Sequence, residues 1–177
     1  KMPFAGMIND WRRSVLGPPP TSRFAAEDSL PDGRPIPVLH AYSPHVVPTP
    51  PDWPPHVTTT GYWFLDQPTG WEPPKPLLEF LDDGPPPVYV GFGSMTTREP
   101  EAKARIIVAA LERAGQRGLI AAGWGGLRTA DLPPSFHVIK EAPHEWLFPH
   151  MAAVVHHGGA GTTAAGLYAG RPTGFGP

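Results

Sequence analysis

Hydrophobic residues recur at three- and four-residue intervals near the start of the chain: Phe4, Met7, Ile8, Trp11, Val15 and Leu16. That spacing predicts a helix over 4–16, stopped by Gly17-Pro18-Pro19-Pro20. The pattern then weakens. A short strand is expected at Val38-Leu39-His40-Ala41-Tyr42, whereas Pro44 to Pro55 lacks too many N–H donors for a central strand. This stretch is expected to run extended over a surface with Trp53 as an anchor, and Val57 to Leu65 as a second extended segment. Gln67 to Pro76 reads as a linker and Leu77 to Leu81 as a helical turn.

From Val88 onward the pattern becomes regular. Val88-Tyr89-Val90-Gly91-Phe92 is a continuous apolar run, as in a strand covered on both faces. A helix follows with Pro100 near its first turn; Ala104, Ile107, Val108, Leu111 and Ala114 form its apolar face, and it stops near Gly115 or Gly118. Leu119 to Ala122, Phe136 to Ile139 and Ala152 to His156 read as strands, with short helices at Glu145 to Met151 and Thr162 to Ala169. This alternation predicts an α/β fold: a Rossmann-like, mostly parallel, doubly wound sheet. Thr173 to Pro177 shows neither helix nor strand character and reads as a cut through a longer chain.

Composition sharpens the division. Of 177 residues, 27 are proline and 20 glycine, a share that can signal disorder. Most prolines precede Val88 and most glycines follow it. A hydrophobic fraction of 40%, six Trp, eight Phe and a net charge of −2 instead support a packed core and argue against a nucleic-acid binder. The absence of cysteine excludes disulfides, thiolate metal sites and a cysteine nucleophile without fixing the compartment. No apolar run approaches the roughly 18 residues of a membrane span, and Lys1-Met2-Pro3-Phe4 does not open a signal peptide.

In an open parallel sheet, ligands bind beyond the carboxyl ends of the strands. The most informative such end is Val154-Val155-His156-His157-Gly158-Gly159-Ala160-Gly161-Thr162-Thr163. A strand runs through glycines into a helix, so backbone N–H groups and the helix dipole can meet an anion there. Thr162 can cap the helix and His157 can donate to a phosphate; the plainer reading is a tight turn with two packed histidines. Gly93-Ser94 and Glu141-Ala142-Pro143-His144 end two other strands and are weaker signals alone, and Trp124 can wall a pocket. Neither a Walker sequence nor a zinc-protease or nucleophile-elbow motif is present, and the histidines lack metal-site spacing. Gly159-x-Gly161-x-x-Ala164 also fits a dinucleotide fingerprint, which keeps a nicotinamide-dependent oxidoreductase as an alternative. A second alternative is a proline-rich interaction module built on Pro18-Pro19-Pro20, Pro48-Thr49-Pro50-Pro51 and Pro85-Pro86-Pro87.

The stretch from Val155 to Gly166 resembles the donor-binding motif of nucleotide-sugar glycosyltransferases with two Rossmann-like domains, the GT-B fold. The likeness is greatest to sterol 3-beta-glucosyltransferases and related enzymes that glycosylate lipophilic acceptors. Ser43-Pro44, Pro50 to Pro54, Thr60 to Trp63, Gly84 to Met95 and Pro143 to Pro149 match the same group in the same order. The resemblance implies that His157, Gly159, Ala160, Gly161 and Thr162 surround the donor diphosphate, that Ser94 lies near it, and that Ala142 and His144 lie along the nucleoside. It implies an inverting transfer of a hexose, glucose foremost, from a UDP-sugar to a sterol-like hydroxyl, with no obligatory cofactor or metal. It further implies a cytoplasmic protein with peripheral membrane contact, although no basic amphipathic helix supports that contact.

Two departures stand out. The family's catalytic histidine, near the start of its N-terminal domain, has no counterpart here, and Gly174-Phe175-Gly176-Pro177 stands where an Asp-Gln pair would hold the sugar. The chain is therefore expected to be part of a transferase. Residues 1–60 would be the tail of the acceptor-side domain with the interdomain crossover, 61–87 a linker, and 88–177 a truncated donor domain. No catalytic residue is assigned within it, and the part alone is expected to be inactive.

Overall fold

A computed structural model describes residues 4–17, 29–30, 32–64, 69–91, 100–121 and 132–176, except the side chains of residues 100, 101 and 103. The expectations for Pro18–Pro20, Leu65, Phe92, Gly93, Ser94, Ala122 and Trp124 lie outside the described residues. The chain forms two compact units, one of residues 1–40 and 48–60, the other of residues 41–47 and 61–177.

In the first unit, α1 (Ala5–Trp11) continues as a wider π-helical turn, Arg12–Leu16. The turn is closed by the Gly17 N–H donating to the Arg12 carbonyl at 2.8 Å. Phe4, Met7, Trp11, Val15 and Leu16 are all exposed, so the stripe read from the sequence forms but stays uncovered within its unit. β1 (Val38–His40) and β2 (Val57–Thr59) pair in parallel, Val38 opposite Val57. β1 is shorter than the strand expected to Tyr42, and β2 occupies the start of the expected extended segment. The ladder ends where the Thr60 N–H donates to the His40 carbonyl at 3.0 Å. Trp53 stacks on His40 with ring centroids 4.4 Å apart. The proline-rich stretch does not run extended. Within this unit the Pro50 and Pro54 carbonyls accept from the Trp53 and Val57 N–H groups, forming successive turns that need no N–H from proline.

In the second unit, Ser43 likewise turns the chain, its carbonyl accepting from the Val46 and Val47 N–H groups. The unit is built on a five-stranded, wholly parallel sheet in the order β5-β4-β3-β6-β7. The strands are β3 (Val88–Gly91), β4 (Gly118–Ala121), β5 (Phe136–Ile139), β6 (Ala153–His156) and β7 (Thr173–Phe175). The helices are α2 (Lys75–Asp82), α3 (Pro100–Arg113), α4 (His144–Leu147), continued by a 3-10 turn Phe148–His150, and α5 (Ala160–Tyr168). The predicted α/β parallel fold is the one formed.

β3 is buried throughout, as its unbroken apolar run requires. Leu77, Tyr89, Leu119, Ile139, Leu147, Phe148, Met151, Val154 and Ala165 make one core. Ala104 is buried and Ile107, Val108 and Leu111 half-buried along α3, whereas Ala114 lies past its end and is exposed. α2 places Leu77 in the core, and Arg117 tethers it: the guanidinium sits 4.2 Å over the Phe80 ring and donates to the carbonyls of Phe80 and Pro85. The expectation for the end of the chain is also overturned. Thr173–Phe175 is a strand, pairing residue for residue with Val154, Val155 and His156. Backbone pairing to an open strand edge needs no alternating side-chain pattern, and that is why Thr-Gly-Phe gave no signal.

Candidate functional site

Because all five strands run the same way, their carboxyl ends share one edge. The chain leaves β3 toward β4 and β5, then returns to the other side of β3 with β6 and β7. The connections therefore diverge between β3 and β6, where a crevice forms in folds of this kind. Gly91 and His156 are paired there, each the last residue of its strand.

The two histidines differ completely. His156 is 0% exposed, whereas His157 is exposed. The Nδ1 of His156 accepts the Gly158 N–H at 3.0 Å. That bond requires an unprotonated Nδ1, so the neutral ring carries its proton on Nε2. Nε2 is buried and has no hydrogen-bond partner among the described residues. An orphaned buried donor costs about 1–3 kcal/mol. The Phe175 ring lies 5.1 Å away, nearly perpendicular. Burial lowers the pKa of His156, and the nearby His157 and His144 reinforce the shift.

Gly158 has φ 85°, a left-handed conformation that admits glycine without strain. At Gly159 the His157 ring comes close: a Cβ there would lie 2.6 Å from its Nε2, a contact the exposed ring could relieve by swinging away. Gly159 is also the N-cap of α5, and no side chain caps that helix. The first intrahelical bond runs from the Thr163 N–H to the Gly159 carbonyl at 2.9 Å. The N–H groups of Ala160, Gly161 and Thr162 therefore lack intrahelical partners. Around Gly161, open space begins at its Cβ position, and the first turn holds no acidic residue. Together with the helix dipole, about half a positive charge at this end, the turn offers an anion a ready binding place. The expected Thr162 cap is not formed. The helix starts at Ala160, which puts Thr162 inside the first turn, and Thr163 instead donates its hydroxyl back to the Gly159 carbonyl at 2.9 Å.

His157, Gly159, Ala160, Gly161 and Thr162 thus come together on one turn. His144 stands at the start of α4, stacked on Phe148 at 4.4 Å and edge-on to Tyr89 at 6.0 Å. Its pKa is lowered by burial, against an opposing pull from Glu145. Ala142 is half-buried and packs against the core. Among the described residues, no group of three or more His, Cys, Asp or Glu could hold a metal ion, and no helix is long and apolar enough to cross a membrane.

Residues 74–177, which include this whole turn, match the model of the UDP-glucoronosyl and UDP-glucosyl transferase family. The chain belongs to that family. The dinucleotide reading of the same glycines is thereby displaced. Among curated relatives of this chain, the sterol 3-beta-glucosyltransferase UGT80A2 of Arabidopsis thaliana is 46% identical over 168 residues, 94% of this chain and 26% of its own. A sterol 3-beta-glucosyltransferase of Leptosphaeria maculans is 45% identical over 181 residues, covering 96% of this chain and 12% of its own. The chain thus spans roughly a quarter or less of the relatives it matches. The fold is shared with the crystal structure of the glycotransferase of kitacinnamycin, at a TM-score of 0.61 and 19% identity, over 81% of this chain and 36% of that one.

Sequence reasoning about this turn offered His156 only as one of two packed histidines and gave it no role in the site. The adjoining histidines offered one usable signal. Strand alternation puts His156 on the same face as the core residue Val154, and so turns it inward while His157 remains outside.

Proposed function

We propose that this chain carries the diphosphate-binding part of the donor site in an inverting UDP-glucosyltransferase that acts on a sterol hydroxyl. The observation that carries the reading is the uncapped N-terminus of α5, with its free N–H groups and the His157 ring drawn in over Gly159. The choice of glucose and a sterol rests on the identity to the sterol 3-beta-glucosyltransferases.

In the reaction, the acceptor oxygen attacks the anomeric carbon as the bond from that carbon to the diphosphate oxygen breaks. UDP leaves with new negative charge, which the Ala160, Gly161 and Thr162 N–H groups, the helix dipole and a His157 ring N–H offset. No metal is required for this step. The acceptor's proton passes to a general base expected outside these residues, so the chain alone does not turn over. Ser94 adds a hydroxyl near the diphosphate, and His144 and Ala142 line the nucleoside. On this reading residues 1–60 end the acceptor-side domain and carry the crossover, 61–87 link the domains and 88–177 hold the donor. The protein works in the cytoplasm and touches sterol-bearing membranes peripherally.

Calorimetric titration with UDP and UDP-glucose tests the site. A charge-assisted hydrogen bond is worth about 1.5–3 kcal/mol, so His157→Ala is expected to weaken binding roughly 10- to 100-fold. Equal affinity of the two proteins would remove His157 from the site.

A further inference from the structure

We propose that His156, buried behind the turn, is a positioning residue for the donor diphosphate: its Nδ1 fixes the Gly158 N–H and so sets the aim of His157 and the first turn of α5. This rests on the donor-site reading above and extends it to a residue that touches no ligand.

Val154, two residues earlier on the same face of β6, is apolar and fully buried in the core. An apolar side chain at 156 would continue that packing with no polar group stranded. The imidazole instead strands its Nε2–H, and its one described hydrogen bond is to Gly158. What the ring contributes that an apolar residue could not is therefore the hold on Gly158. The backbone of His156 is fixed as well, its carbonyl accepting the Gly176 N–H at 3.0 Å. The ring thus stands on an anchored strand end and grips the residue two positions on, at the point where the chain leaves the sheet with φ 85°. His157 lies inside this clasp and Gly159 just beyond it.

The hold depends on a neutral ring, because protonation would turn Nδ1 into a donor facing another donor. The titratable groups around it are His157 on its own turn, His144 from α4 with Glu145 beside it, and Tyr89 from β3. The Tyr89 hydroxyl lies over Gly91, the residue paired with His156. His144 and His157 both disfavour an imidazolium at 156, as does burial. The flanking residues of the sheet, Gly91 and Phe175, carry no charge.

The test compares His156→Leu, which removes the acceptor, with His156→Asn, whose Oδ1 stands close to where Nδ1 was and does not titrate. UDP-glucose is the probe, measured by calorimetry at pH 8. His156→Leu is expected to lose about fivefold or more in affinity, the size of one lost hydrogen bond. His156→Asn is expected to stay within about twofold of wild type even though its smaller side chain lowers the melting temperature. A purely structural role would order the two variants by stability instead. Nitrogen NMR of the unmutated protein gives an independent reading: Nδ1 unprotonated, Nε2 protonated, and a coupling across the bond to the Gly158 amide. Wild-type binding matched by His156→Leu, or a proton found on Nδ1, overturns the inference while leaving the donor site standing. If the wild type binds no UDP-glucose, the donor-site reading fails and this inference with it.

Discussion

Tyr89 and Gly91, two residues apart on β3, share one volume. A Cβ built on Gly91 would stand 2.3 Å from the Tyr89 hydroxyl oxygen and 2.7 Å from the nearest ring carbons. The tyrosine is 5% exposed, and burial pushes its pKa up to about 12, so it stays neutral. Gly91→Ala is therefore expected to cost about 1–3 kcal/mol through overpacking. Adding Tyr89→Phe should recover part of that loss by removing the closest atom, and urea unfolding of the two single variants and the pair measures the coupling. Nothing in Val-Tyr-Val-Gly announces this contact. Strand period puts both residues on one face, but it does not say that the ring lies along the strand. For His156 and His157 alternation separates the two faces, but how deeply His156 is covered follows only from β6 lying between β3 and β7.

Helices and strands were legible where their apolar pattern was strong. The α3 stripe and the unbroken runs of β3 and β4 match the elements formed, because burial on a defined face is what those patterns encode. β7 was not legible, since it is held by pairing to β6 rather than by its own side chains. The turn formed by Phe148–His150 merges with α4 where one helix was expected. The proline-rich stretch was misread because missing N–H groups exclude a strand without requiring an extended path. α2 illustrates what a short element can carry. Leu77 is 1% exposed, whereas Leu78, the next residue, is 38% exposed. Leu77→Ala is expected to cost about 2–5 kcal/mol. Leu78→Ala should cost under about 1 kcal/mol, and chemical denaturation of the two variants separates them.

Across the molecule, burial lowers the pKa of three histidines, His137, His144 and His156. Each folded pKa lies below the ordinary 6.5, so at pH below about 6.5 the unfolded chain binds more protons. Stability is full above that pH and is lost progressively as pH falls through the depressed folded values. The urea midpoint is expected to be level between pH 7 and 8 and to drop by pH 5, and His144→Gln should flatten the slope. An unchanged midpoint at pH 5 would mean that these rings are solvated when folded. The fold class and the turn at the head of α5 were readable from periodicity and glycine placement. The charge states that govern the turn were not, because they depend on which elements pack over each ring.

The central position of β3 has a kinetic consequence. Val88 pairs with Gly118, 30 residues on, and with Ala153, 65 residues on. The nearer pairing closes the smaller loop and forms sooner, while the farther must wait for β5, α4 and β6 to be made and brought back. As the chain leaves the ribosome, the strand at the middle of the finished sheet is thus for a time its bare rim. An apolar run with unpaired N–H and carbonyl groups then stands open to any other nascent chain. Until β6 arrives, β3 presents an unpaired apolar edge of the kind that invites misassembly.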